Sequence, residues 1–305
     1  MSLRIGIDLG GTKIEIAALD NDNRIVERKR VPTPAGEYEA TLRVLAELVE
    51  STERLLGVAG SRGCTIGIGT PGTISPTTGL LRNANSICLN GHPFKQDFEQ
   101  RLGREIRIEN DANCFALSEA VDGAGEGERI VFGVILGTGV GGGIVIDSRV
   151  LKGANAIGCE WGHNSLPWPR PGELPGPRCF CGRHACIETF LSGRGLAADH
   201  VKEGGASLSS EDIVSRALAG DADCIATLER YEERLARALA SIINIVDPDV
   251  IVLGGGMSKV KRWYETVPGL WGRYVFADAV RTRLVQNVHG DSSGVRGAAW
   301  LWGAG

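Results

Sequence analysis

Three times in this chain an apolar stretch of strand type runs straight into a glycine turn. Ile5-Gly6-Ile7-Asp8-Leu9 leads into Gly10-Gly11-Thr12-Lys13, Val134-Ile135-Leu136 into Gly137-Thr138-Gly139, and Val250-Ile251-Val252-Leu253 into Gly254-Gly255-Gly256. Backbone without side chains at a strand end leaves its amides open to an anionic oxygen, so the pattern predicts a nucleotide site. Thr12 and Thr138 add hydroxyl donors and Lys13 a positive charge. Gly256 is expected to open a helix whose N-terminus favours phosphate. None of the turns reads G-x-x-x-x-G-K-[ST], which excludes a P-loop. None carries the dinucleotide fingerprint with its acidic residue further on.

Composition narrows the class. Glycine supplies 43 of 305 residues, twice the usual share of about 7%. It is clustered at turns rather than spread with a collagen period. Apolar residues make up 43% and charged residues 23%, ordinary for a folded globular chain. The net charge of −4 argues against nucleic acid as the main partner. No apolar run reaches membrane-spanning length, and Asp8 with Gly10-Gly11 interrupts the first apolar stretch before it could serve as a signal peptide. A cytoplasmic protein with reduced thiols is the expectation, with no membrane partner.

Residues 4–9, 14–19 and 24–31 read as a three-stranded meander. Residues 37–56 read as an amphipathic helix with Leu42, Leu45, Leu48, Val49, Leu55 and Leu56 on its stripe. Strands at 64–69 and 105–109 follow, then a helix at 112–121. The opening then recurs roughly 130 residues on, as a strand at 130–136, a turn at 137–143 and a strand at 144–147, which suggests two related halves. Residues 151–187 have no period and are rich in Gly, Pro and Cys; a loop this long is functional or pinned by something. Helices are expected at 189–203, 210–219 and 222–246, the last stopped by Pro248. A strand at 250–253, a helix from about 258 and an apolar helix at 294–302 complete an α/β chain.

Three constellations carry chemistry. Asp111, in Glu109-Asn110-Asp111-Ala112-Asn113, sits between a strand and a helix, as a plain N-cap or as a general base with Asn110 beside it. Asp8, at the end of the first strand, is a turn residue or a holder of Mg²⁺ through water beside the phosphates. His163 with Cys179, Cys181 and Cys186 forms H-x₁₅-C-x-C-x₄-C, the donor set of a closed structural Zn²⁺ site. Cys64, Cys88, Cys114, Cys159 and Cys224 read as small hydrophobes. Glu160 and Glu188 flank the cysteine loop as surface charges or as acceptors for sugar hydroxyls.

Together these residues resemble the ROK family of sugar kinases, over nearly the whole chain. Asp8-Leu9-Gly10-Gly11-Thr12-Lys13 and Leu136-Gly137-Thr138-Gly139 resemble its two phosphate motifs, and Gly254-Gly255-Gly256 its adenosine motif. Asn110-Asp111-Ala112-Asn113 resembles its catalytic segment. Glu160-Trp161-Gly162-His163 and the stretch Cys179 to Glu188 resemble its zinc and sugar signature, with Ala185 where the family usually has glycine. The resemblance implies an actin-like, hexokinase-type duplicated ribonuclease-H fold of two lobes that close on ATP and sugar, with a zinc-pinned loop. Its lobes would be 1–115 plus 291–305, through a returning C-terminal helix, and 116–290.

It further implies ATP, Mg²⁺ and structural Zn²⁺ as cofactors, Asp111 as catalytic base, and Gly72, Asn85, Asn110, Glu160, His163 and Glu188 as sugar contacts. A homodimer is the family-level expectation. Within the family, Glu160 to Trp168, Asn83 to Ser86 and His289 to Trp300 look most like manno(fructo)kinases, so phosphorylation of fructose, and of mannose less well, is expected. Cys186-Ile187-Glu188 with Leu191 to Gly195 is shared with N-acetylglucosamine kinases, the alternative, alongside glucokinase. Family members that act as repressors or sugar sensors carry an added helix-turn-helix or lack the base; with the fold starting at Asp8 and Asp111 in place, neither is expected. Loss of the metal is expected to raise the sugar KM while disturbing the nucleotide turns much less.

Overall fold

Strands whose alternate residues bury against helices, and whose ends carry the glycine turns, set the architecture. The computed structural model describes residues 3–34, 36–58, 64–84 and 86–303. In chain order the elements are β1 (Leu3–Leu9), β2 (Lys13–Leu19), β3 (Ile25–Pro32), α1 (Tyr38–Leu55), β4 (Cys64–Thr70), β5 (Thr73–Ile74), β6 (Leu81–Arg82), α2 (Phe94–Leu102), β7 (Arg107–Asn110) and α3 (Asp111–Asp122). Then come β8 (Ile130–Leu136), β9 (Val140–Ile146), β10 (Arg149–Val150), α4 (Ile187–Leu191), α5 (Gly193–Lys202), α6 (Ser210–Leu218), α7 (Ala222–Val246), β11 (Val250–Gly254), α8 (Arg262–Trp271), β12 (Arg283–Gln286) and α9 (Ser293–Ala299).

The recurrence in the sequence is a recurrence of topology. One sheet has the order β3-β2-β1-β4-β7 and the other β10-β9-β8-β11-β12, so the strands correspond one for one. In the first, β1 pairs antiparallel with β2 and parallel with β4, and β4 pairs parallel with β7. In the second, β11 lies parallel to both β8 and β12. Glycine turns therefore fall at the C-terminal ends of β1, β8 and β11, the end of a parallel sheet where ligands bind.

The chain separates into two compact units, one of residues 1–127, 143–158 and 291–305, the other of 128–142 and 159–290. Helix α3 stays whole in the first unit, so the boundary lies beyond it rather than at 115–116. In that unit Ile5, Ile7, Leu9, Ile66 and Ile68 bury against Leu42, Leu45 and Val49 of α1 and Phe94 and Phe98 of α2. Leu55 is off the α1 stripe and 68% exposed. On the other face α9 lies so close that a Cβ on Gly6 would sit 1.9 Å from the Val295 carbonyl oxygen, and one on Gly67 1.8 Å from that of Ala298. Only glycine fits those strand positions, and α9 supplies its own Gly297 against the Cys114 carbonyl.

In the second unit α7 runs 25 residues, capped by Asp221, whose carboxylate accepts from the Cys224 amide. It ends at Asp247 in a left-handed conformation just before Pro248. Two expectations change here. Residues 189–203 are not one helix, because extended Ser192 ends α4 and caps α5 through the Gly195 amide. The turn after β8 is shorter than 137–143. Gly142 and Gly143 lie within β9, where Phe132 and Cys159 crowd the first and the Ala112 backbone the second. Among the described residues no helix is long and apolar enough to cross a membrane.

Candidate active site

In the first unit the sheet register brings the expected residues to neighbouring strand ends. Asp8 pairs with Gly69 across β1 and β4, and Thr70 with Asn110 across β4 and β7. The first turn is closed by the Gly10 amide donating to the Lys13 carbonyl. It is braced by Thr33, whose hydroxyl donates to the Gly10 carbonyl at 2.7 Å and whose amide donates to that of Thr12. Gly11, Thr12 and Lys13 are exposed and open to a ligand.

Asp8 is the electrostatic centre of this end. Burial, reinforced by the negative charges of Asp111 and Glu15, pushes its carboxyl up to about 6 against the pull of Lys13 and Arg30. Gly294, at the start of α9, is close enough that a Cβ would stand 3.3 Å from its Oδ2. A half-buried carboxylate with a second carboxylate near it suits a hydrated divalent cation. Glu15 itself is buried between Arg28 and Arg30, at 2.6 and 2.5 Å.

Asn110, not Asp111, is the N-cap of α3; its side chain accepts from the Ala112 amide at 2.9 Å. Asp111 is the first helical residue, half-buried, its Oδ1 also 2.7 Å from the Ala112 amide. The Asn110 Nδ2 reaches the Gly72 carbonyl at 3.4 Å. Gly72 has a φ of +113°, and a Cβ there would meet the Arg82 carbonyl at 2.5 Å, so this turn requires glycine. Asn85 lies outside the described residues.

Glu109 is a residue the sequence reading passed over. It is 6% exposed; Oε1 accepts from the Asn110 amide and from Asn113 Nδ2, both at 3.0 Å, and Oε2 lies 2.7 Å from Lys152 Nζ. A buried charge with a cation and two donors fixes the segment that carries Asp111. The only signal was its adjacency to Asn110-Asp111, since Lys152 is far away in sequence.

In the second unit the turn after β8 closes through the Gly137 amide and the Gly139 carbonyl. Thr138 is exposed. Glu188 Oε2 accepts from the Val140 amide at 3.0 Å, and a Cβ on Gly139 would stand 2.6 Å from it. The third turn lies beside the second, since Gly254 pairs with Ile135 and Gly255, with φ +81°, leaves no room for a Cβ against Leu136. The helix expected after Gly256 is a four-residue 3₁₀ turn, Gly256–Lys259; α8 starts only at Arg262. Exposed amides of Gly255 and Gly256, not a helix dipole, are what this end offers.

His163, Cys179, Cys181 and Cys186 converge, with one donor atom from each lying within 4.8 Å of the others. His163 Nδ1 is 3.6 Å from Cys179 Sγ, and the sulfurs of Cys181 and Cys186 are 3.6 Å apart. Tetrahedral Zn²⁺ bonds of ~2.0–2.1 Å to nitrogen and ~2.3 Å to sulfur give edges of about 3.6–3.8 Å. The residues fit that ion. Ala185 takes a φ of +56°, which explains why glycine suits this position. Glu160 is exposed beside the cluster.

The other half of the loop is held by salt bridges. Glu173 Oε1 and Oε2 receive Arg237 at 2.7 and 2.9 Å and Arg234 at 2.9 Å. Burial works against the Glu173 carboxylate, yet these guanidinium bonds and the Arg170 amide bring it down to about 2. Arg237 also donates to the carbonyls of Pro167 and Trp168. Cys64, Cys114 and Cys159 are held as thiols by burial, Cys64 pushed up to about 11 and Cys159 to about 12.

Residues 4–304 match the ROK family. The chain belongs to it. It is 40% identical over 300 residues to the N-acetyl-D-glucosamine kinase of Vibrio parahaemolyticus and 41% to that of Salmonella typhimurium, covering 97% of this chain and 98% of each relative. Its structure resembles a ROK hexokinase from Thermus thermophilus (33% identity, TM-score 0.85, covering 98% of this chain and 97% of that one). It also resembles a ROK glucokinase from Streptomyces griseus crystallised with glucose and AMPPNP (27%, TM-score 0.76, 98% of each chain). The fold is the actin-like fold of ROK kinases. The two sequence relatives are named for N-acetyl-D-glucosamine, the alternative sugar weighed in the sequence, and not for fructose, so the motif likeness around Glu160 to Trp168 does not single out manno(fructo)kinases.

Proposed function

We propose that the protein is an ATP-dependent kinase that phosphorylates N-acetyl-D-glucosamine at O6. The observation that carries the chemistry is the placement of Asp111 at the first turn of α3, capped by Asn110 and anchored by Glu109, at the same sheet end as Asp8 and the first glycine turn. The 40–41% identity to N-acetyl-D-glucosamine kinases over nearly the full chain supports the sugar.

Asp111 accepts the proton of the O6 hydroxyl as that oxygen attacks the γ-phosphorus. The bond to the β–γ bridging oxygen breaks, and ADP leaves with the electron pair. This transfer needs position and charge neutralisation more than covalent help from the protein. Gly10 to Lys13 and Gly137 to Gly139 present amides and hydroxyls to the phosphates, and Gly254 to Gly256 faces the adenosine. Asp8 would hold Mg²⁺, which supplies positive charge at the phosphate oxygens when bound. Gly72, Asn85, Asn110, Glu160, His163 and Glu188 contact the sugar. His163, Cys179, Cys181 and Cys186 would hold Zn²⁺ in four protein bonds, a structural role with no position open for water. Elemental analysis is expected to find about one zinc per chain. We carry forward a cytoplasmic homodimer from the family resemblance.

The test is a coupled assay for ADP release with N-acetylglucosamine, glucose, mannose and fructose. N-acetylglucosamine is expected to give the highest kcat/KM. A higher value for fructose would return the substrate to the first sequence expectation and overturn this one.

A further inference from the structure

One oxygen of the Glu188 carboxylate is already engaged by backbone, apart from any contact with sugar. Its Oε2 takes the Val140 amide at 3.0 Å, immediately after the Gly137–Gly139 turn, and its Oε1 lies 3.8 Å from Cys179 Sγ. Helix α4, which carries it, begins at the residue after Cys186. One turn later the chain touches the glycine turn again, where the Gly193 amide donates to the Gly137 carbonyl at 2.9 Å. Both ends of the turn are thus fastened to a short segment that starts at the cysteine cluster. The fit is tight enough to exclude any side chain on Gly139.

We propose that Glu188 is a positioning residue for the nucleotide turn, through which order in the cysteine cluster sets the geometry of Gly137–Gly139. This rests on reading that turn as part of the nucleotide site. It revises the expectation that metal loss leaves the nucleotide turns largely undisturbed. Disordering His163 and the three cysteines frees α4, and with it the acceptor for the Val140 amide. The turn then samples conformations whose amides no longer converge, and nucleotide affinity falls.

The experiment is calorimetric titration of Mg-AMPPNP in the absence of sugar, where a side chain that only touched sugar would have no effect. Glu188→Ala is expected to weaken binding about 10-fold, the loss of one hydrogen bond to a charged group. Glu188→Gln, whose carboxamide oxygen still accepts from Val140, should stay within about 3-fold of the parent. Cys181→Ser should weaken binding like Glu188→Ala, and the double variant no further, because both break one linkage. Thr138→Ala serves as the control on the turn itself. If it weakens binding and Glu188→Ala does not, the coupling is wrong and the nucleotide reading stands. If neither matters, the nucleotide reading fails and takes the coupling with it. Tighter binding by Glu188→Ala, as simple charge repulsion with phosphate would give, also overturns the coupling. Hydrogen exchange gives a check without substitutions: chelation of the metal should strip protection from the Val140 amide, and unchanged protection refutes the proposal.

Discussion

The two phosphate-type turns, Gly10–Lys13 and Gly137–Gly139, occupy equivalent places in duplicated sheets and are stabilised by different means. The first carries a charge at its root, Asp8, where the second has the apolar Ile135. The first is braced by a neutral hydroxyl from the residue just after β3, Thr33 on the Gly10 carbonyl. The second is braced by a carboxylate and an amide from the segment after the cysteines. The sheets share one strand order, yet the turns close differently, the Gly10 amide on the Lys13 carbonyl and the Gly137 amide on that of Gly139. One end gathers negative charge that a cation and a base can use, while the other depends on a loop with its own anchor.

The strongest way to separate the two ends is at Asp111. Asp111→Asn removes the proton acceptor while Asn110 keeps capping α3, so kcat should fall about 10²–10⁴-fold with Tm nearly unchanged. Steady-state kinetics with a parallel melting curve checks this, and near-normal turnover would remove the base from Asp111.

Next in size is the charge at Asp8, which has no counterpart at Ile135. Its folded pKa of about 6 lies above the ordinary 3.8. The folded state therefore binds that proton more tightly than the unfolded chain. The group's contribution is fully present below pH 3.8 and is lost as pH rises through 6, a cost of about 3 kcal/mol at pH 8. Asp8→Asn should raise the Tm of the ligand-free protein at pH 8 and leave it little changed at pH 4, while abolishing most activity. An equal gain at both pH values would show that the carboxylate is not the source.

The smallest effect is expected at the brace of the first turn. Thr33→Val removes the hydroxyl bond to Gly10 but keeps the backbone bond to Thr12, costing about 1 kcal/mol, or about 2 °C in Tm. It should leave hydrogen exchange at Val140 untouched. A change there would mean that the two turns are not braced independently.

Much of the fold was legible because its signals are local. Glycines directly after Leu9, Leu136 and Leu253 fixed three strand ends, and Pro248 fixed the end of α7. The missed elements have weak local signals: α2 buries only Phe94 and Phe98, and β12 has four residues with Leu284 alone buried. The split between α4 and α5 was hidden because Ser192 is chosen for a cap, and the Gly193 amide for a partner 56 positions away. His163 and the three cysteines, read from residue type and spacing, come together as side chains. Residues that act through distant partners do not announce themselves. Glu109 needs Lys152, and Glu173 needs Arg234 and Arg237, pairings that only the folded chain makes.

The seat of α9 also has a temporal meaning. Gly6 and Gly67 are shaped for a helix that begins at Ser293, so the apolar face formed with Ala17 and Leu19 has no cover while the intervening chain is made. At roughly 5–20 residues per second that wait lasts about 10 s or more. Residues 159–290 are complete before α9 exists and can collapse on their own schedule. The half of the molecule translated first is thus the half that finishes last, and its exposed sheet face is where a nascent chain would need a chaperone's protection.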